Sequence, residues 1–266
     1  ARIGNISGLA GPDLSSKSDV TGAKDPGYGY AFIYSTPKLY NLYVNNGDTK
    51  RFNWSIAPFE YKEAGGKNTG VTHREFEQGK LAEVMSQYGQ QRGTYQYADD
   101  TEKTTATKNF KYRREYEADK KDKNYTSINF PILRYADVLL MIAEAENEAN
   151  NGPTTLAYQC MKEVRERAGL NELPDMTQEE FRQTVKDERA MELCFEYTRR
   201  FDLIRWGEYV KNMRALVTEA QSGNNWTQGP TNVYTYFNIS STYNYFPIPD
   251  AEMSVNKDIT QNNPGW

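Results

Sequence analysis

A ladder of charges between Val185 and Gly207 restricts this chain more than any other stretch. Glu188, Glu192 and Glu196 recur every four residues, and Arg199, Asp202 and Arg205 follow every three. Helical geometry sets such residues along one drifting stripe. Val185, Met191, Phe195, Leu203 and Trp206 lie among them, and Gly207 suits the position just past a helix end, so the stretch reads as one long helix. Three carboxylates at this spacing repel one another on a free helix. They require cations, from Arg189, Arg199 and Arg205 or from preceding helices. A charged stripe beside large apolar residues therefore predicts a helix packed on others, its ion pairs partly buried and hydrogen-bonded. Glu188, Arg189, Glu192, Glu196, Arg199, Asp202 and Arg205 make up this expected structural ion network. The competing use of three glutamates is a helical carboxylate metal site, which adds Glu-x-x-His pairs from neighbouring helices. The single histidine, His73, lies far away in an irregular loop, so neither metal nor cofactor is expected.

Composition narrows the class. A chain of 266 residues can bury a core as one large domain or two small ones. Hydrophobic residues make up 38% and mean hydropathy is -0.84, which marks a polar, loop-rich chain. No run of 18 apolar residues occurs, which excludes a membrane-spanning helix. Ala1-Arg2-Ile3-Gly4 starts no signal peptide, so an export address is expected to have been removed or to lie on further sequence. The net charge of -4 argues against general nucleic-acid binding. Cys160 and Cys194 fall in helical patterns with apolar neighbours and read as small buried residues rather than a disulfide or metal pair. One histidine leaves little room for a zinc site or a serine–histidine triad, and no nucleophile elbow, P-loop or dinucleotide fingerprint is present. No catalytic residue is assigned and an enzyme is not expected.

In chain order, residues 1–36 are broken by glycine and proline, and within them Pro26-Gly27-Tyr28-Gly29-Tyr30 sets two aromatic rings between glycines. Pro37 to Val44 reads as a short helix with proline in its first turn. Arg51 to Ala57 alternates polar and apolar and predicts a strand with Phe52, Trp54 and Ile56 on one face; Trp54 serves either the core or a ligand. Residues 60–127 are the least regular. Thr94-Tyr95-Gln96-Tyr97 suggests a hairpin strand, and Lys103 to Lys123, dense in both signs, reads as a solvated loop. From Pro131 the chain turns helical, with Ile132, Ala136, Leu139, Leu140 and Ala143 on one face, and Asn150-Asn151-Gly152-Pro153 stops it. Thr154 or Thr155 caps the next helix, whose face is Ala157, Cys160, Met161, Val164 and Ala168 before Gly169. This pair is a helix hairpin of roughly tetratricopeptide size. Thr177 with Glu180 forms a capping box for the charged helix, and Trp206 to Thr218 continues as a fourth helix or a bent extension. Phe246-Pro247-Ile248-Pro249 must be extended, and Glu252 to Trp266 is expected to wrap the surface, pinned by Ile259 and Trp266.

The predicted fold is mainly α, with tetratricopeptide-like helical hairpins, long irregular loops and a few short strands. Three regions of one continuous domain are expected: 1–127, loop-rich and ligand-binding; 128–220, helical repeat; and 221–266, an extended segment packed on the helices.

Three ordered segments carry a resemblance. Glu188-Arg189, Glu192-Leu193, Glu196, Arg199, Phe201-Asp202-Leu203 and Arg205-Trp206-Gly207 form the first. Asn129 through Ala145 is the second, and Phe246-Pro247-Ile248-Pro249 with Asn256, Gln261, Asn262 and Pro264-Gly265 is the third. Together they resemble the SusD/RagB family of outer-membrane nutrient-binding lipoproteins, and Asp48 with Arg51 resembles a short Asp-x-x-Arg step of that family. Its members usually carry a long N-terminal half with a signal peptide and a lipidated cysteine. The resemblance therefore implies the C-terminal half of such a protein, or a divergent short member, held at the cell outer membrane through a lipid anchor. It also implies a glycan ligand captured in loops outside the helices and passed to a SusC-like TonB-dependent transporter.

The residues agree with a binding role. Sugar sites combine aromatic rings with amides and carboxylates, and 20 tyrosines are more than a plain core needs. Tyr28, Tyr30, Trp54, Tyr95, Tyr97 and Trp226 lie in or beside loops rich in Asn, Gln and Asp and are the candidate ligand-binding residues. Two other readings stay open: a helical-repeat scaffold for protein interaction, and a peptide-binding member of the same family.

Overall fold

The structure is a computed structural model that describes residues 36–57, 63–64, 67–68, 93–95, 104–105, 108–109, 111–112, 129–221 and 238–266. Its helices are α1 (Pro37–Asn46), α2 (Thr49–Ser55), α3 (Tyr135–Ala149), α4 (Thr155–Ala168), α5 (Gln178–Glu192), α6 (Arg199–Arg205), α7 (Tyr209–Gln221) and α8 (Asp250–Val255). Three antiparallel pairs of very short strands accompany them: Ile56–Ala57 with Lys108–Asn109, Glu63–Ala64 with Lys67–Asn68, and Gly93–Tyr95 with Thr104–Thr105. The fold is mainly α, built on helical hairpins.

Helices α3, α4 and α5 share the main core. Leu139, Leu140 and Ala143 of α3 meet Ala157, Cys160, Met161 and Val164 of α4 and Phe181 and Val185 of α5. The small residues Ala143 and Ala157 are fully buried and let the backbones approach. Each helix end has its own chemistry. Thr154 caps α4 by accepting from the Ala157 N–H at 3.2 Å, and its hydroxyl donates to Glu146 at 2.7 Å. Thr177 and Glu180 form the capping box of α5. Asn147, fully buried, donates to the Gln178 carbonyl at 3.0 Å while the Gln178 amide returns a bond to the Asn147 carbonyl at 3.1 Å. That reciprocal pair fixes the register of α3 against α5. A second core, Tyr43, Phe52, Ile56, Met191 and Cys194, seats α1 and α2 on the end of α5.

The long helix expected from Val185 to Gly207 is two helices. α5 stops at Glu192, and Phe195 (φ 63°) and Tyr197 (φ 62°) take left-handed backbone conformations before α6 begins. Such angles cost a non-glycine residue about 1–2 kcal/mol, and tertiary contacts hold them here. Tyr43 donates to the Met191 carbonyl, Lys111 and Arg134 to that of Glu192, Lys111 also to that of Cys194, and Tyr112 to that of Phe195. The carbonyls of Met191 and Glu192 at the end of α5, and of Cys194 and Phe195 beyond it, are thereby satisfied. Cys194 consequently lies past the helix; both cysteines are buried and free. Gly207 (φ 70°) closes α6, with the Glu208 N–H on the Leu203 carbonyl and the Gly207 N–H on that of Ile204. α7 is a separate helix beginning two residues later.

Three further expectations change. Arg51 to Ser55 is helical rather than a strand: Asp48 caps α2 by accepting from the Arg51 N–H at 3.1 Å, and only Ile56–Ala57 is extended. The alternation of Phe52, Trp54 and Ile56 is misleading because Phe52 and Ile56 are also four apart, and both are fully buried while Trp54 faces out. α3 begins at Tyr135, so Ile132 precedes it and is almost wholly exposed. Within 252–266, where no helix was expected, the first turns belong to α8. Beyond it, Asn262 binds both backbone groups of Ile248, and the Trp266 ring meets Tyr243 edge-on at 5.8 Å. The weakly alternating stretch Tyr234 to Ile239 lies, up to Phe237, outside the described residues.

Candidate functional site

The carboxylates of the charged stripe are surrounded by guanidinium groups. Glu188, fully buried, lies 2.6 Å from Arg51 and 2.9 Å from Arg165. Glu192 takes Arg134 at 2.6 Å, Arg51 at 3.0 Å, and Arg167. Glu196 takes Arg134 at 2.8 Å and Lys111. These cations come from α2, α4 and the segments before α3, not from the stripe itself. Arg189 points the other way, gripping Asp202 through two nitrogens at 2.9 and 3.0 Å and Asp137 at 2.8 Å. Arg205 joins Asp202 at 2.9 Å to Glu144, which also accepts from the Trp206 indole at 2.8 Å. Arg199 donates to the Lys186 carbonyl at 3.1 Å and lies 5.2 Å from the Trp206 ring, so its partners are a carbonyl and an aromatic face.

Burial raises the proton affinity of Glu192, yet Arg134, Arg167 and Arg51 outweigh it and hold the carboxyl below its usual range. Burial also favours neutral Arg51, but Glu188, Asp48 and Glu192 keep it firmly charged. Asp48 differs: burial wins over the Arg51 attraction and its carboxyl is raised. Among the described residues no group of three or more His, Cys, Asp or Glu is arranged to hold a metal ion. The geometry is that of a brace, in which ion pairs lock α2, α4 and the start of α3 to α5.

Beside the brace lies an open cavity of about 270 Å³. Lys50, Arg51, Trp54 and Ser55 of α2 form one wall, Arg167 and Ala168 of α4 another, and Met191 and Glu192 of α5 a third, with Lys111 and Arg134 completing it. The helical turn places Trp54 three residues after Arg51, so the buried Arg51 anchors α2 while the indole, 42% exposed, reaches the cavity.

Of the expected ligand-binding residues, Trp54 alone has a described side chain. Tyr95 lies in the Gly93–Tyr95 strand, known by its backbone, and Tyr28, Tyr30, Tyr97 and Trp226 lie outside the described residues. Lys50, Lys111, Arg134 and Arg167 were not among the sequence-level candidates. Lys111 belongs to the stretch read as a solvated loop, but it is largely buried against Glu196 and two carbonyls. Its signal was hidden, because mixed charge looks alike whether solvated or paired.

A model of the SusD family matches residues 5–266. SusD-like protein P25 of Formosa agariphila is 40% identical over 134 residues, covering 49% of this chain and 23% of that protein. Starch-binding protein SusD of Bacteroides thetaiotaomicron is 28% identical over 138 residues, covering 52% of this chain and 22% of that one. The crystal structure of a SusD homolog from Bacteroides thetaiotaomicron superposes with a TM-score of 0.75 at 26% identity, over 98% of this chain and 48% of that one. The chain thus spans about half the length of the solved structure it resembles.

Proposed function

We propose, from the premise that this chain belongs to the SusD family, that it takes part in capturing an oligo- or polysaccharide at the bacterial cell surface. In this reading the full protein is lipid-anchored at the outer membrane and hands its glycan to a SusC-like TonB-dependent transporter. The helices supply a rigid platform, and aromatic rings outside the helical hairpins hold the sugar.

The observation that carries the reading is Trp54. Its neighbours Phe52 and Ile56 are fully buried, yet its indole is 42% exposed beside a cavity also lined by Lys50, Lys111, Arg134 and Arg167. An aromatic face next to fixed hydrogen-bonding groups is what a pyranose ring recognises. Tyr28, Tyr30, Tyr95, Tyr97 and Trp226 are proposed to contribute further rings. One relative in the same family carries starch binding in its name, which supports a sugar as the ligand class. Binding rather than catalysis also fits the carboxylates, which are spent on guanidinium partners rather than set across a cleft as an acid and base pair.

The test is native affinity electrophoresis of the chain in gels cast with a broad panel of polysaccharides. Retardation in at least one gel, lost when Tyr28, Tyr30 and Trp54 are replaced by alanine, is the expected result. Unchanged mobility across the whole panel would instead favour a protein-interaction scaffold or a peptide ligand. Co-purification with a SusC-like TonB-dependent transporter tests the transfer step.

A further inference from the structure

The cavity beside Trp54 has an uneven charge. Among the described residues its walls hold five cations, Lys50, Arg51, Lys111, Arg134 and Arg167, and one carboxylate, Glu192. Including the groups directly behind the walls, the described residues supply six cations, with Arg165, against four carboxylates, Asp48, Glu188, Glu192 and Glu196. The buried members neutralise one another, so the surplus sits at the mouth. Arg167 is 58% exposed and spends one guanidinium nitrogen on Glu192. Lys50 is exposed and its ammonium donates to the Arg167 carbonyl, which leaves further donors on both side chains directed to solvent.

From this we infer that the sugar seated against Trp54 carries a negative charge, a uronate carboxylate or a sulfate ester, held by Lys50 and Arg167. The inference rests on the glycan reading above and names the ligand class for that site. A neutral sugar would leave Lys50 without an anionic partner and the remaining donors of Arg167 without a charged acceptor in the bound state. An anion gains charge-assisted hydrogen bonds from both, and Arg offers the planar fork that suits carboxylate and sulfate oxygens. The cavity volume of about 270 Å³ lies just under the roughly 300–1,000 Å³ of typical small-molecule sites. It therefore suits one charged residue of a chain, with Trp54 stacking on the ring and the rest of the glycan outside.

The experiment compares the chain's affinity for polygalacturonate, a sulfated galactan and neutral glucans by titration calorimetry and affinity gels. Tighter binding of one anionic polymer than of the glucans is expected, and which polymer binds separates carboxylate from sulfate recognition. Lys50→Gln and Arg167→Gln should each weaken that binding roughly tenfold, and salt raised from about 0.05 to about 0.5 M should weaken it further. Lys162→Gln, an exposed lysine outside the cavity, should change nothing. Equal binding of neutral glucans, or unaltered affinity in both variants with an intact melting transition, overturns the charge inference and leaves glycan capture standing. Failure of the parent chain to bind any polysaccharide overturns both.

Discussion

Arg134 sets Nη1 2.6 Å from Oε1 of Glu192, 58 residues further along the chain. The same guanidinium donates to the Glu192 carbonyl at 2.6 Å and to Glu196 at 2.8 Å. One side chain therefore bridges two acids and caps the end of α5. Removing Glu192 would leave Arg134, Arg51 and Arg167 competing for the acids that remain. Loss of one partner from a buried ion pair costs about 3–5 kcal/mol. Glu192→Ala should destabilise the chain by that order in urea denaturation, and a change under about 1 kcal/mol would show that the brace is dispensable.

Two of the glycines that end helices give a cleaner comparison. Gly169 (φ 80°) and Gly207 (φ 70°) have left-handed backbones, and a Cβ on either would meet no atom within 4 Å. Gly169→Ala and Gly207→Ala should each cost about 1–2 kcal/mol from backbone conformation alone. Equilibrium denaturation checks this; a loss well above that range would reveal a packing clash that the geometry excludes.

The capping box tests the local end of the hierarchy. Thr177 accepts from the Glu180 N–H, and Glu180 accepts from the Thr177 N–H at 2.8 Å. Thr177→Ala should cost about 0.5–2 kcal/mol, read as a lower denaturation midpoint with an unchanged slope.

Much of this was legible in the sequence because it was local. The capping box, the caps at Thr154 and Gly207, and the faces of α3 and α4 follow from spacing within a few residues. The break at Leu193 to Thr198 was not legible. Phe195 and Tyr197 have no intrinsic preference for positive φ, and the donors that pin this turn, Tyr43, Lys111, Tyr112 and Arg134, come from distant segments. For the same reason the ion network was legible in its acids but not in its cations. Helix α2 resembles a strand in the sequence because Phe52 and Ile56 satisfy both periods, and the signal that decides for a helix is Asp48 as its cap. Of the candidate site, the sequence pointed to Trp54; the basic residues around it converge only after folding.

Acid should loosen the brace. Burial raises the carboxyls of Glu192 and Glu144, but arginine partners, helped at Glu144 by Trp206, hold both below the unfolded value. The folded state thus binds fewer protons there, and the stability these groups confer is complete above the unfolded carboxylate value of about 4.3 and lost as pH falls through their lower folded values. Asp48, raised by burial, works in the opposite sense and offsets part of this. Thermal melts should show the midpoint falling steadily from about pH 5 to about pH 3; a flat or rising midpoint would contradict the assigned pairing.

Glycan capture beside the braced helices is tested most directly at one side chain. Titration calorimetry of Trp54→Ala, against a polysaccharide that retards the parent chain, isolates the exposed indole. The expected result is binding weakened roughly tenfold or more with a melting transition close to that of the parent. Undiminished affinity in Trp54→Ala would place the sugar elsewhere and contradict the site proposed here.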